Sequence, residues 1–502
     1  MLTRSAARAL LAQTYVHVLF SCSLGTLIRS FDANISRRVN LKSDHIFPDD
    51  VLLEIFDAYR QDMELLPHYE NTWNSKDGWF RLAHVCTHWR RVVLLSPTRL
   101  HLHLLFIPRS SSKVTMLERL PPFPILVDYR AASWIEKKEN RALAVIMSNR
   151  SRVRGIALRT PYMDKVCKAL SHPFPELESL EILPSSPHDH EVLILPTNFL
   201  SGSVPCLRWL TLRKVAPGCL SPLLSSATGL VELNLSLYTE WGSAPEPSLL
   251  SNIRRMSCLR RLELTLLYPP VTPFSNLPLT TVTGDVVPLS LSELTHVVFT
   301  GHGSYLEVLV IAFSAPSLIH LKVKLYGQSH GTVPHLCKFI RNSECRFTKI
   351  CLVFSRSKLK FYAGTGSESI DDLPFRIVIP EPVSLEQMGQ ELSAPLSNVE
   401  ELIITLGGLS FGGRPNIVDQ LRRFFYHVPQ VKVMKIPARE AQNVARSFQQ
   451  DGQEPAADLL HALEQIKVDI LPPKKGWKRS SRDAFEPLVA ARKRVGCPII
   501  LS

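Results

Sequence analysis

One spacing constrains this chain more than any other. From about residue 122, three apolar residues recur at i, i+3 and i+5. The clearest copies are Leu177/Leu180/Ile182, Leu207/Leu210/Leu212, Leu230/Leu233/Leu235, Leu259/Leu262/Leu264 and Leu318/Leu321/Val323. Weaker copies are Val153/Ile156/Leu158, Leu294/Val297/Phe299, Phe347/Ile350/Leu352, Val399/Leu402/Ile404 and Val431/Met434/Ile436, with Leu463/Ile466/Val468 as a candidate last one. The step from i+3 to i+5 is the alternation of a β-strand, where every second side chain faces the same side. The step before it is the turn that enters the strand. A chance run of leucines would not hold this phase ten times.

Starts of successive copies are 24, 30, 23, 29, 35, 24, 29, 52, 32 and 32 residues apart. Most of these steps lie at or just above the period of about 20–29 residues of leucine-rich repeats. The chain therefore resembles an irregular leucine-rich-repeat solenoid, although it lacks the Asn/Cys ladder position of regular repeats. The resemblance implies an α/β (α+β) solenoid over residues 104–470. Ala132–Ser148, Met163–Ser171 and Val418–His427 read as amphipathic helices on its helical side. The long step predicts an insertion over about 355–395, read as a protruding loop because of Ala363-Gly364-Thr365-Gly366 and the prolines of Pro374–Pro382.

Alternation also names the side chains of the open strand face: Glu181, Trp209, Thr211, Arg213, Glu232, Asn234, Arg261, Glu263, His320, Lys322, Lys324 and Lys349. In leucine-rich-repeat proteins this face commonly binds the partner. Trp209, Arg213, Arg261, His320, Lys322 and Lys324 are the candidate substrate-binding residues. An acidic or phosphorylated segment near Lys322 and Lys324 is the substrate expected there.

Residues 46–97 read as two short amphipathic helices. Pro48 suits a first helical turn, and Asp49 and Asp50 put negative charge at the positive end of the helix dipole. Val51, Leu52, Ile55, Phe56 and Tyr59 form one apolar face; Leu82, Val85, Cys86, Trp89 and Val92 form a second. Ser96-Pro97 ends the second helix. Phe47-Pro48, Val51-Leu52-x-x-Ile55-Phe56 and Val85-Cys86-x-x-Trp89-Arg90 resemble the F-box, with the nearest likeness among F-box proteins of mushroom-forming fungi. The gap Asp62–Gly78, which carries Asn71-Thr72 and Trp73, is longer than is usual, and Leu100 is followed by His101 where the family often has Trp.

The resemblance implies docking of residues 43–103 on a Skp-type linker, and through it on a cullin. Pro48, Val51, Leu52, Ile55, Phe56, Leu82, Val85 and Trp89 would make the contact. Phe56 and Trp89 are the expected anchors, since large aromatics in desolvated pockets dominate such interfaces.

Charge argues in the same direction. Of the net +13, residues 1–42 carry +5 and residues 474–494 carry +6. The body between them is close to neutral, which argues against nucleic acid as the main partner. Residues 1–42 read as a poorly ordered basic leader and 471–502 as a solvated basic tail. The ten cysteines include no CxxC pair and suit reduced thiols in a cytoplasmic or nuclear protein. The leader's apolar stretch Leu10–Ile28 leaves a signal peptide or mitochondrial presequence as the alternative, and no other segment is long and apolar enough to predict a membrane span.

Catalytic signals are few. Gly408-Leu409-Ser410-Phe411-Gly412 fits a nucleophile elbow, and Asp451 or Asp458 with His461 would follow in the required order. Its position late in the chain, on one copy of the strand spacing, suits a glycine turn better. His84 and His88 have i, i+4 spacing but lack a third ligand, so they read as solvated, like His188 and His190 in their polar loop. No cofactor and no metal are expected. The sequence thus predicts a non-catalytic substrate-recognition adaptor of a ubiquitin ligase. The alternatives are a free-standing repeat scaffold and, less favoured, a serine hydrolase using Ser410.

Overall fold

A computed structural model describes residues 47–64, 82–97, 99–100, 103–106, 123–129, 144, 146–160, 166–168, 170–184, 192–216, 220–238, 247–267, 288–326, 334–355, 358–366, 369–380, 384–406, 416–449, 459–469 and 483–502. The chain divides into two compact units, Met1–Ser186 and Pro187–Ser502. Both are built from helices and mostly parallel strands, an α/β architecture.

The N-terminal unit holds helices α1 (Asp49–Glu64) and α2 (Thr87–Leu95). It also holds strands β1 (Leu104–Phe106), β2 (Ile125–Tyr129), β3 (Val153–Thr160) and β4 (Ser179–Pro184). The strands pair in that order and all in parallel, with Leu104 opposite Ile125, Ile156 opposite Leu180 and Leu158 opposite Ile182.

In the C-terminal unit the strands are β5 (Trp209–Val215), β6 (Glu232–Tyr238), β7 (Arg261–Leu267), β8 (Leu289–Ser290), β9 (His296–His302), β10 (Phe313–Ser314) and β11 (His320–Tyr326). They continue with β12 (Lys349–Ser355), β13 (Lys358–Gly364), β14 (Phe375–Pro380), β15 (Glu401–Thr405), β16 (Val433–Pro437), β17 (Gln465–Asp469) and β18 (Ile500–Leu501). The sheet order is β5-β6-β7-β9-β11-β14-β13-β12-β15-β16-β17-β18, while β8 and β10 form a separate parallel pair.

The spacing read from the sequence sets the register. The i+3 residues form one ladder, Leu210–Leu233–Leu262–Val297–Leu321, and the i+5 residues a second, Leu212–Leu235–Leu264–Phe299–Val323. All ten side chains are buried. Copies other than the one at Phe347, whose N–H donates to the Pro395 carbonyl, enter their strands through the same turn. The N–H of residue i donates to the carbonyl of i−3, as from Leu207 to Val204, Leu230 to Ala227, Leu259 to Met256, Leu294 to Leu291 and Leu318 to Ala315. The carbonyl of residue i+1 then accepts two N–H groups of the next copy. Arg208 receives those of Val231 and Glu232, Arg260 those of Thr295 and His296, and Thr295 those of Ile319 and His320.

Between the strands run helices α3 (Ser221–Ser226), α4 (Pro247–Arg254), α5 (Gly303–Ala312), α6 (Pro334–Arg341), α7 (Leu385–Glu391), α8 (Ser393–Leu396), α9 (Asn416–Phe425), α10 (Ala441–Arg446) and α11 (Glu486–Arg494). Successive ones touch: α3 and α4, α4 and α5, α5 and α6, α6 and α7. They bury Leu224, Ile253, Leu306, Ile340, Leu421 and Phe425. Helix α9 matches the amphipathic segment expected at Val418–His427.

Three expectations need correction. First, the insertion over 355–395 is not a protruding loop. It supplies β13 and β14, which lie in the sheet between β11 and β12, with β13 antiparallel to both neighbours and β14 parallel to β11. Alternating segments such as Lys358-Leu359-Lys360-Phe361 and Phe375-Arg376-Ile377 bury every second side chain more profitably in a sheet than in solvent.

Second, the basic tail is in part folded. β18 pairs with β17, and the Arg492 guanidinium of α11, 2% exposed, donates to the carbonyls of Leu460, His461 and Leu463. Third, the second N-terminal helix is broken at Cys86, whose backbone is extended and whose Sγ accepts the Trp89 N–H at 3.4 Å. The 1–42 leader, most of the Asp62–Gly78 gap, most of Ala132–Ser148, the His188–Glu191 loop and residues 471–482 lie outside the described residues.

Candidate partner-binding surfaces

Ring and charge contacts hold the N-terminal helices and the segment after them together. The rings of Phe56 and Trp89 meet edge to face with centroids 5.0 Å apart. His88 Nε2 lies 3.2 Å from Asp49 Oδ1, and Arg99 donates to Glu54 at 2.8 Å. The His88 side chain is therefore largely shielded beside Asp49 rather than solvated, a correction to the sequence reading. Arg90 Nε donates to the Ala83 carbonyl and ties α2 to the turn before it.

These contacts sort the eight expected docking residues. Leu52, Ile55, Phe56 and Leu82 are buried, Phe56 to 1% exposure, because they pack within the unit. Phe56 is thus the core of the helical pair and has no surface left to anchor a partner. Val51 and Trp89 are half-buried, and Pro48 is exposed. Val85 is 58% exposed and Leu95, which the sequence pattern did not single out, 75%.

The second surface is the open face of the C-terminal sheet. One row across it runs Trp209, Glu232, Arg261, His296 and His320 on neighbouring strands. The next runs Thr211, Asn234, Glu263, Val298, Lys322, Arg376, Tyr362, Cys351, Ile403, Lys435 and Lys467. His296 and His320 stack with ring centroids 4.3 Å apart. Burial first, and then the positive charges of His320, Arg261 and Lys322, hold the His296 imidazole below its usual pKa.

Arg261 lies 3.8 Å from Glu263 on its own strand. Arg213 is exposed but out of the rows, because β5 and β6 slip register between Leu212 and Val215, where Lys214 takes a positive φ of 58°. Lys349 keeps its place on the open face, in phase with Cys351, but is not exposed there. It is buried with its Nζ 3.8 Å from Glu401 Oε1, and Lys435 Nζ lies 2.8 Å from the same oxygen.

Sequence reasoning missed that the insertion covers part of this face. Leu373 packs on Cys351 and Tyr362, with Ile370, Val353 and Ile403 around them. Desolvation there pushes the Cys351 thiol up to about 12. The same insertion adds Lys358, Lys360 and Arg376 to the face, with the Arg376 guanidinium 5.5 Å from the Tyr362 ring centre. The strand alternation of 358–363 and 375–379 was the signal available for them.

The Gly408–Gly412 segment with Ser410, and Asp451 and Asp458, lie outside the described residues. Among those described, no group of three or more His, Cys, Asp or Glu side chains could hold a metal ion, and no helix is long and apolar enough to cross a membrane. Comparison with protein-family models and with characterised proteins finds no match to this chain.

Proposed function

We propose that the chain is a non-catalytic adaptor that brings a protein substrate to a ubiquitin ligase. Its F-box-like helices α1 and α2 dock on a Skp-type linker, and through it on a cullin, while a leucine-rich-repeat solenoid presents its open sheet face to the substrate. Its contribution to catalysis is proximity.

The observation that carries this reading is the helical pair itself. α1 and α2 close on each other through Phe56 and Trp89 yet leave Pro48, Val85 and Leu95 in solvent. Exposed apolar residues on a locally packed element suit a docking surface. In this proposal the contact with the linker runs over Pro48, Val51, Val85, Leu95 and the free edge of Trp89, and Phe56 positions them.

The same Phe56–Trp89 contact favours a second reading, a repeat scaffold whose N-terminal helices serve only their own unit. A pull-down of purified chain with purified Skp-type linker separates the two. Retention by the wild type, lost in Val85→Asp and Leu95→Asp, supports the adaptor. A folded wild type that fails to bind selects the scaffold.

A further inference from the structure

Strands β9, β11, β14 and β13 are neighbours in the sheet, and none of the four contains an Asp or Glu. On their open face they place Lys322, Lys324, Arg376, Lys358 and Lys360 beside the His296–His320 stack. Lys322 lies opposite Arg376 on the next strand, and Lys324 and Lys360 both lie opposite Val378 from its two sides. The cations thus stand about 5–10 Å apart on a rigid sheet. Among the described residues no carboxylate lies within ion-pair distance of these five. The nearest stabilising contacts are with rings: Lys324 Nζ is 5.1 Å from the centre of Tyr326, and Arg376 5.5 Å from that of Tyr362.

We infer that this patch binds a carboxylate-rich segment of a partner protein. Five like charges held side by side repel one another, and a ligand of opposite charge relieves that repulsion. The borders of the patch argue for a short ligand. Glu263 on β7 and Glu401 on β15 flank it, and Asp371 acts on Tyr362 from the covering segment. Four strands span about 14 Å, room for an extended segment of about four to six residues. The flanking carboxylates are themselves paired, Glu263 with Arg261 and Glu401 with Lys349 and Lys435, and both tyrosine rings already carry a cation, which leaves nucleic-acid bases no free ring to stack on. Lysine predominates over arginine, which suits separate carboxylates better than the bidentate grip typical of phosphate sites.

The inference deepens the adaptor proposal by naming the class of substrate, and it rests on that proposal only for its cellular meaning. The test therefore uses the purified full chain without any linker, so that its failure leaves linker docking untouched. Fluorescence anisotropy at low salt measures binding of labelled hexaglutamate. Saturable binding that weakens as salt rises is expected, because exposed charges are screened.

Lys322→Glu/Lys324→Glu and Arg376→Glu/Lys360→Glu should each weaken it by about tenfold or more, with Lys322→Gln/Lys324→Gln intermediate. Lys338→Glu on α6 should leave it within about twofold. Matching thermal unfolding of each variant guards against misfolding, and the neutral pair keeps the test decisive if a reversal fails to fold. The inference is overturned if Lys338→Glu weakens binding as much as the patch variants do. Tighter binding of an oligothymidylate of equal charge, or of a phosphoserine peptide alone, would overturn it as well.

Discussion

Glu307 on α5 makes stability depend on pH in a direction opposite to that of most carboxylates. Its two oxygens accept the N–H groups of His335 at 3.0 Å and Leu336 at 3.3 Å, so it caps the N-terminus of α6. Burial raises its pKa from 4.5 to about 7, against the pull of the two N–H bonds. Between those values the folded chain holds a proton that the unfolded chain releases. Stability therefore falls as pH rises through the window from 4.5 to about 7 and is flat, for this group, above it.

At 1.36 kcal/mol per pH unit the whole window would amount to about 3.4 kcal/mol. Glu307 is only half-buried, so solvent screening reduces this to about 1–2 kcal/mol. Glu307→Gln keeps an acceptor for the α6 cap and cannot ionise. Hydrogen exchange of peptides covering 303–341, corrected for intrinsic rates, measures the local opening free energy at pH 5 and pH 8. The wild type should lose about 1–2 kcal/mol more than Glu307→Gln over that interval. An identical loss in both proteins would refute the assignment.

Three further outcomes are expected. Leu235→Ala, at a fully buried position between Leu212 and Leu264, should cost about 2–5 kcal/mol in chemical denaturation. Gly364→Ala would put a Cβ 2.8 Å from both Leu373 Cδ2 and Pro374 Cδ, lifting the segment that covers Cys351. Thiol labelling of Cys351 should then be faster than in the wild type, where the group is buried and its pKa is about 12. Arg492→Met should remove the three carbonyl contacts that hold α11 against residues 460–463 and speed hydrogen exchange in 495–502 without altering exchange in β5–β7.

The parallel strands were legible because their leucines obey two constraints at once. Leu262 and Leu264 must face the core, and Leu259 must close the turn before them, so three positions carry one signal. β13 and β14 escape that rule. They join the sheet as a hairpin arm, with Ser355 opposite Lys358, and need no entering turn of the i to i+3 kind. Their glycine and proline flanks then read as loop. The N-terminal helices were legible by amphipathicity, which says that Phe56 and Trp89 share an interface but not whether the interface is internal. The distinction comes from the packing, where the two rings meet 5.0 Å apart and Phe56 is 1% exposed, which no periodicity reveals. The basic patch was half visible. Lys322 and Lys324 lie on a strand with the expected phase, while Arg376 and Lys360 reach it from residues far along the chain.

The doubly accepting carbonyl at i+1 has a further consequence. In the regular run from Leu207 to Leu318, each copy after the first donates two N–H bonds to one backbone oxygen of the copy before it. The connecting chain is free to lengthen or shorten without disturbing the leucine ladders, as steps from 23 to 35 residues already show. Such an architecture tolerates insertions that fall outside the turn and strand, and an inserted segment can bring new side chains to the open face, as β13 and β14 do.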